Sequence, residues 1–217
     1  MRIGKFLNLR ATTAFQVNNQ RPSSIMGVTS LKGDTLTLNF SGSKEAPKPL
    51  HYAKDTKETL ALIAAAKKAG VDMKKDYLTA KDCIGASPLH RAQTAEQTLA
   101  LIAAAQEAGV DMKDYLTAKD CIGASPLCYV QTAKQVLALI AAAKKAGVDM
   151  TAYLTAEPSL GGNALCYAQK SGQIQMIIDA AKDAKLDMKA FLTKVNSYNK
   201  RAPLHYAQAA EQTLALS

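Results

Sequence analysis

The chain has 217 residues, 48% of them hydrophobic and 21% charged, with a net charge of +9 at neutral pH. This composition supports a packed core and excludes a chain that is disordered throughout. No apolar run reaches the ~18 residues that a membrane-spanning helix needs, and MRIGKFLNL has neither the apolar stretch nor the small-residue site of a secretory leader, so a soluble cytoplasmic protein is expected.

The positive charge is uneven. Residues 1–50 hold seven basic side chains against Asp34 and Glu45, a net +5, and the other 167 residues carry only +4. Residues 1–24 contain Arg, Lys, Ser and Thr but no acid. They read as a basic arm, and organellar transit peptides share that composition. Next, Ile25 to Ser30, Lys32-Gly33-Asp34 and Thr35 to Phe40 predict a β-hairpin with Leu36, Leu38 and Phe40 on one face. Its expected role is to cover the open end of the segment that follows. The arm and hairpin, residues 1–46, are one region, and residues 47–217 are another.

From there the chain repeats itself. The string YLTAKDCIGASPL at 77–89 recurs unchanged at 115–127. LALIAAA stands at 60–66, 99–105 and 137–143, and AGVDM at 69–73, 108–112 and 146–150. A third marker, PLHYA at 49–53, becomes PLHRA, PLCYV, ALCYA and again PLHYA. Its leucine falls at 50, 89, 127, 165 and 204, in steps of 39, 38, 38 and 39. Five copies at so steady a period predict a helical-repeat solenoid, because a unit this small buries its apolar face only against a copy of itself. The fifth copy is truncated: Ala210 to Leu216 repeats Ala95 to Leu101 and breaks off within the helix. The chain is therefore expected to be part of a longer protein, or to exchange amide hydrogens fastest from about residue 200 onward.

Each unit reads as helices. Pro88 suits the first turn of a short helix in which Leu89 and Ala92 share a face. Thr94-Ala95-Glu96-Gln97 has the form of a capping box for a second helix, and Thr132 to Gln135 repeats it. That helix runs through LALIAAA, apolar on nearly every side, and ends at Gly109 in the left-handed position. Lys67, Lys68, Lys144 and Lys145 sit in the last turn, where they oppose the helix dipole rather than form a nucleic-acid patch. Asp111 is placed to cap one further turn, with Tyr115 and Leu116 directed into the stack. A loop containing Gly85 or Gly123 leads to the next unit.

The stretch Asp82-Cys83-Ile84-Gly85-Ala86-Ser87-Pro88-Leu89-His90-Arg91-Ala92 resembles the D-x-x-G-x-T-P-L-H-x-A signature of ankyrin repeats, with serine for threonine. Gly109-Val110-Asp111-Met112 is similar to the family's G-A-D-V-N close. The resemblance covers residues 44–217. Ankyrin units usually run about 33 residues, and most of the extra residues here fall in the YLT segment, where the family has a β-hairpin finger. A partly helical finger is expected instead. The fourth copy departs most, with Ala164 in place of proline and Pro158 in place of the opening aspartate.

The resemblance implies an all-α, ankyrin-like solenoid whose histidine letter bonds backbone between units. It also implies a non-enzymatic scaffold that binds a protein partner through loop tips and the first-helix face. The contact positions it implies are Cys83, Ile84, Ala86, Gln93 and Thr94, then Cys121, Ile122, Ala124, Gln131 and Thr132, with Tyr198, Asn199 and Arg201 in the last unit. Arg91, Tyr129 and Tyr167, which follow the histidine letter, extend this surface, and arginine beside aromatic residues is a common hot-spot pairing. In its irregular period and few units the chain is similar to bacterial ankyrin proteins delivered into host cells.

The residues themselves carry little catalytic signal. His51, His90 and His205 are one repeat letter, replaced by Cys128 and Cys166 in the other units. Stacked helices lie about 10 Å apart, too far for a metal that holds its ligands at ~2.0–2.3 Å. Cys83, Cys121, Cys128 and Cys166 make no CxxC pair and are expected to be reduced thiols, with nothing nearby in sequence to activate them. There is no phosphate loop, nucleophile elbow, HExxH or GxGxxG. No cofactor, metal, small-molecule substrate or nucleic-acid partner is expected, and enzymatic activity only if the chain serves a larger enzyme as its binding module. The rival reading is an anion or nucleic-acid binder that uses the basic arm.

Overall fold

A helix that is apolar on nearly every side must be covered on both flanks, and the LALIAAA segments cover one another. The computed structural model describes residues 49–206 apart from 160, 169, 198 and 199. The basic arm, the hairpin expected at 25–40 and the partial helix expected at 210–216 lie outside the described residues. The α-helices are, in chain order, α1 (Thr56–Lys68), α2 (Ala95–Glu107), α3 (Met112–Thr117), α4 (Ala133–Lys145), α5 (Met150–Thr155), α6 (Ala164–Tyr167), α7 (Ser171–Asp183) and α8 (Met188–Thr193). The described residues contain no strand, and their fold is all-α.

The long helices α1, α2, α4 and α7 have 13 residues each. They pack in chain order, α1 on α2, α2 on α4 and α4 on α7. Leu62, Leu101, Leu139 and Ile177 occupy one letter of the repeat and are at most 2% exposed. Burying such a side chain contributes roughly 1.5–3 kcal/mol, so this row is a main source of cohesion between units.

Three of the four long helices, α1, α2 and α4, start on a side-chain cap, whereas α7 starts at Lys170 without one. Thr94 Oγ1 accepts from the Gln97 N–H at 3.1 Å, and Gln97 Oε1 accepts from the N–H groups of Gln93 and Thr94. Thr132 and Gln135 repeat the arrangement. The same glutamine reaches one unit back. Gln97 Nε2 donates to Ala53 O at 3.2 Å, Gln135 Nε2 to Ala92 O at 3.0 Å and Gln173 Nε2 to Val130 O at 2.8 Å. All three side chains are at most 2% exposed. This buried ladder satisfies both ends of each amide, its oxygen on its own helix and its nitrogen on the preceding unit.

The first helix of each unit is short, as expected, and is a single turn. Pro49–Tyr52, Pro88–Arg91, Pro126–Tyr129 and Pro203–Tyr206 are single 3-10 turns, and α6 is one α turn. The reason is local: Ala92 (ψ 126°) and the cap residue Thr94 (ψ 160°) are extended, so four residues are all the turn can use. Past each long helix, Gly70, Gly109 and Gly147 take φ between +67° and +70°, which a side chain resists. Asp111 Oδ1 then accepts from the N–H groups of Lys113 and Asp114 to start α3, which buries Tyr115 and Leu116. The segment after the glycine is thus helical in three units, and so is its counterpart in the fourth, where Lys185 takes the glycine's place.

Both 39-residue steps have a visible cause. GVDMKKDYLT in the first unit holds one lysine more than GVDMKDYLT in the second. The extra residue is absorbed in a π turn at Met73–Tyr77, in which the Leu78 N–H donates to Met73 O at 2.9 Å. Tyr77 and Leu78 stay fully buried. In the last loop, Asn196 N–H donates to Arg201 O, one residue further along than Asp82 N–H to Ala86 O in the first.

Candidate partner-binding surface

The loops between units are built on an aspartate. Asp82 Oδ1 accepts from the N–H groups of Ile84 and Ala86 at 3.0 and 2.9 Å, and Asp120 Oδ1 holds Ile122 and Ala124 at the same distances. Gly85 adopts φ +73° at the tip, and a Cβ there would lie 3.0 Å from the Cys121 nitrogen of the next loop. That close approach lets the loops bond edge to edge. Cys121 N–H donates to Ile84 O at 2.9 Å and Ser159 N–H donates to Ile122 O at 2.6 Å.

The second carboxylate oxygen takes a strut from nine residues downstream. Arg91 Nε and Nη2 donate to Asp82 Oδ2 at 3.0 and 2.5 Å, and the Tyr129 hydroxyl donates to Asp120 Oδ2. In the fourth unit Pro158 replaces the aspartate, and the Tyr167 hydroxyl donates instead to Gly161 O at 2.8 Å. Burial pushes the Asp82 carboxyl up, but the bonds from Arg91, Ala86 and Ile84 and the Arg91 charge outweigh it and hold it below its ordinary range. The loop therefore keeps its ionised anchor at neutral pH.

Histidine fixes the loops from beneath. His90 Nδ1 accepts from the Ser87 N–H at 3.1 Å, which leaves the proton on Nε2 to donate to Ala124 O at 3.2 Å. His51 Nε2 lies 3.1 Å from both Ala80 O and Ala86 O. Cys128 and Cys166 take the letter in later units, and burial pushes each thiol up to about 11, so neither is a thiolate at neutral pH.

The expected contact residues divide accordingly. Cys83, Cys121, Gln93 and Gln131 are exposed, Ile84 and Ile122 are half-buried at the tips, and Arg201 is exposed. Thr94 and Thr132 are half-buried helix caps. Arg91, Tyr129 and Tyr167 are half-buried and bonded back to their own loops. Ala86 and Ala124 are a correction: they are 1% and 0% exposed, because their carbonyls are the acceptors that draw the chain down onto His51 and His90. Their side chains offer no contact surface. Tyr198 and Asn199 lie outside the described residues.

Sequence reasoning missed the inter-unit half of the glutamine ladder, although Gln97, Gln135 and Gln173 recur in steps of 38. It also missed the Asp82–Arg91 and Asp120–Tyr129 struts, whose nine-residue spacing is the same in two units. Two open grooves lie beside the segments that follow the long helices, one between the π turn and α3 and one between the end of α5 and α8. One, of 410 Å³, is lined by Lys74, Lys75, Lys81, Asp111, Asp114 and Tyr115 among others. The other, of 360 Å³, includes Glu157, Asn163, Phe191 and Lys194. Both mix charges; Ser87 of the first has its hydroxyl 2.8 Å from His90 Nδ1, but both side chains are buried. Among the described residues no group of three or more His, Cys, Asp or Glu is placed to hold a metal, and no helix is long and apolar enough to cross a membrane. The chain matches no protein-family model and has no significant match among curated proteins.

Proposed function

We propose that the chain is a non-enzymatic scaffold, an ankyrin-like solenoid that binds a protein partner through its loop tips and the outer side of the short first turns. One observation carries this reading. The tips bearing Cys83, Ile84, Cys121 and Ile122 are tied to one another through backbone, braced within their own units by Asp–Arg and Asp–Tyr struts, and bonded to the preceding unit by buried histidines. Apolar and thiol side chains held in this way meet a partner at little cost in conformational entropy. An intracellular site of action, in a cytoplasm or in a host cell, goes with this reading and with four thiols left free.

The test compares capture of a partner by three chains: wild type, the double variant Ile84→Asp/Ile122→Asp, and a deletion of residues 1–24. The scaffold reading expects the double variant to lose the partner while its thermal unfolding stays unchanged, and the deletion to keep it. Capture that survives the double variant but vanishes with the basic arm, and that falls steeply with salt, would favour an electrostatic binder instead. Arg91→Glu is a poorer probe, because it breaks the Asp82 strut as well as any contact.

A further inference from the structure

We propose that the outer faces of α1, α2 and α4 form a second binding surface, which takes an acidic amphipathic helix of a protein partner laid across them. This surface is separate from the loop tips and does not depend on their role. Leu60, Leu99 and Leu137 occupy one letter of the repeat and are 52%, 53% and 57% exposed. One turn further along, Ala64, Ala103 and Ala141 are exposed too. Because α1 packs on α2 and α2 on α4, the three pairs line up as one apolar stripe. It stops at α7, where Gln175 and Asp179 take the two positions and bond to each other at 2.8 Å. Single exposed leucines are ordinary; three in register on packed helices make a patch.

Charge selects the occupant. Lys57 and Lys68 on α1 and Lys134 and Lys145 on α4 flank the leucines and are exposed. None of the four enters an ion pair among the described residues. Lys67 is already matched by Glu107 at 2.6 Å, and Lys144 by Asp183 at 2.8 Å. Against those four lysines α2 carries Glu96 and Glu107 at the corresponding positions, Glu107 being the one already paired with Lys67. The surplus attracts an acidic partner and repels both a second copy of this face and the basic arm. Spacing selects a helix. Packed helices lie about 8–10 Å apart, and seven residues of helix advance about 10.5 Å. A crossing helix therefore sets one apolar residue over each leucine per heptad.

Fluorescence anisotropy with the full chain tests this on two synthetic peptides of ~22 residues, each with leucine at positions a and d of three heptads. One carries glutamate at the flanking positions and the other lysine. The acidic peptide is expected to bind at least about 10-fold more tightly than the basic one and to weaken with salt. The triple variant Leu60→Gln/Leu99→Gln/Leu137→Gln is expected to lose it without a change in thermal unfolding. Replacing Lys57, Lys68, Lys134 and Lys145 by Glu is expected to reverse the preference between the peptides, which an unfolded variant cannot do. Equal affinity for both peptides, no binding of the acidic one, or binding indifferent to the leucines overturns the proposal. Leucine-dependent binding to phosphatidylglycerol vesicles without binding of the acidic peptide also overturns it, and assigns the face to a membrane surface.

Discussion

At the scale of single residues, His90 and Lys185 make opposite statements about strain. Burial brings the His90 imidazole down from 6.5 to about 4, with the Lys81 charge acting the same way and the Ala124 carbonyl and Asp120 against it. Above pH ~6.5 the ring is neutral folded or unfolded, and its titration has no effect on stability. As pH falls towards 4 the unfolded chain binds a proton that the folded one refuses, so stability falls, by about 3 kcal/mol once the change is complete. His90→Cys, which installs the residue of the third unit, should remove His90's share of that drop in denaturant unfolding followed against pH. An unchanged slope would place the acid sensitivity elsewhere. Asp82 acts in a separate, lower window, since its pKa is held below 3.8 and its contribution is lost only as pH falls past that value. Lys185 stands where three units have glycine and takes φ 56°. A left-handed non-glycine residue costs about 1–2 kcal/mol, so Lys185→Gly should raise stability by about 1 kcal/mol. A loss on that substitution would mean that the lysine side chain offsets the strain.

At the scale of elements, the glutamine ladder shows how a helix cap becomes a joint between units. Gln135→Glu keeps an acceptor for the N–H groups of Gln131 and Thr132 but aims a carboxylate at Ala92 O. The expected loss is about 3 kcal/mol at neutral pH, recovered in part in acid, where a protonated glutamate can donate. Equal stability at both pH values would show that the Gln135–Ala92 bond contributes nothing net. The first repeat supplies a natural contrast. Glu58 holds the same letter, and among the described residues its Oε2 accepts from the local Lys54 N–H at 2.9 Å rather than its side chain bonding another unit. The π turn is a second element-scale case. Deleting Lys75 should restore the α geometry of the second unit and shift stability by no more than about 0.5 kcal/mol. A large loss would mean that the turn is required and not merely tolerated.

At the scale of the whole molecule, stability comes from neighbour contacts repeated along the chain. Ile102 is 6% exposed in the core shared by successive units. Ile102→Ala should cost about 2–5 kcal/mol in thermal or denaturant unfolding, because α2 packs on both α1 and α4. No measurable change would overturn the stacking of α2 between α1 and α4. The two proposed surfaces also belong to this scale, because each exists only through register. A loop tip or an exposed leucine recurs as a row only when the long helices pack at one constant offset.

The sequence by itself determined the helical class, the period, the capping boxes, the glycine stops and the turn begun by Asp111. Those features depend on nearest neighbours and on spacing, which a linear string records. It did not determine which apolar letters face out. In LALIAAA, Leu60 and Leu62 are chemically the same residue, and only the packing of α1 on α2 covers Leu62 and leaves Leu60 in solvent. Nor did it show that Ala86 and Ala124, small residues in a polar loop, are buried. The histidine of the preceding unit, 35 and 34 residues away, bonds their carbonyls and holds them under the surface. Contacts of that range join elements that have already stacked, so the tertiary structure alone decides them.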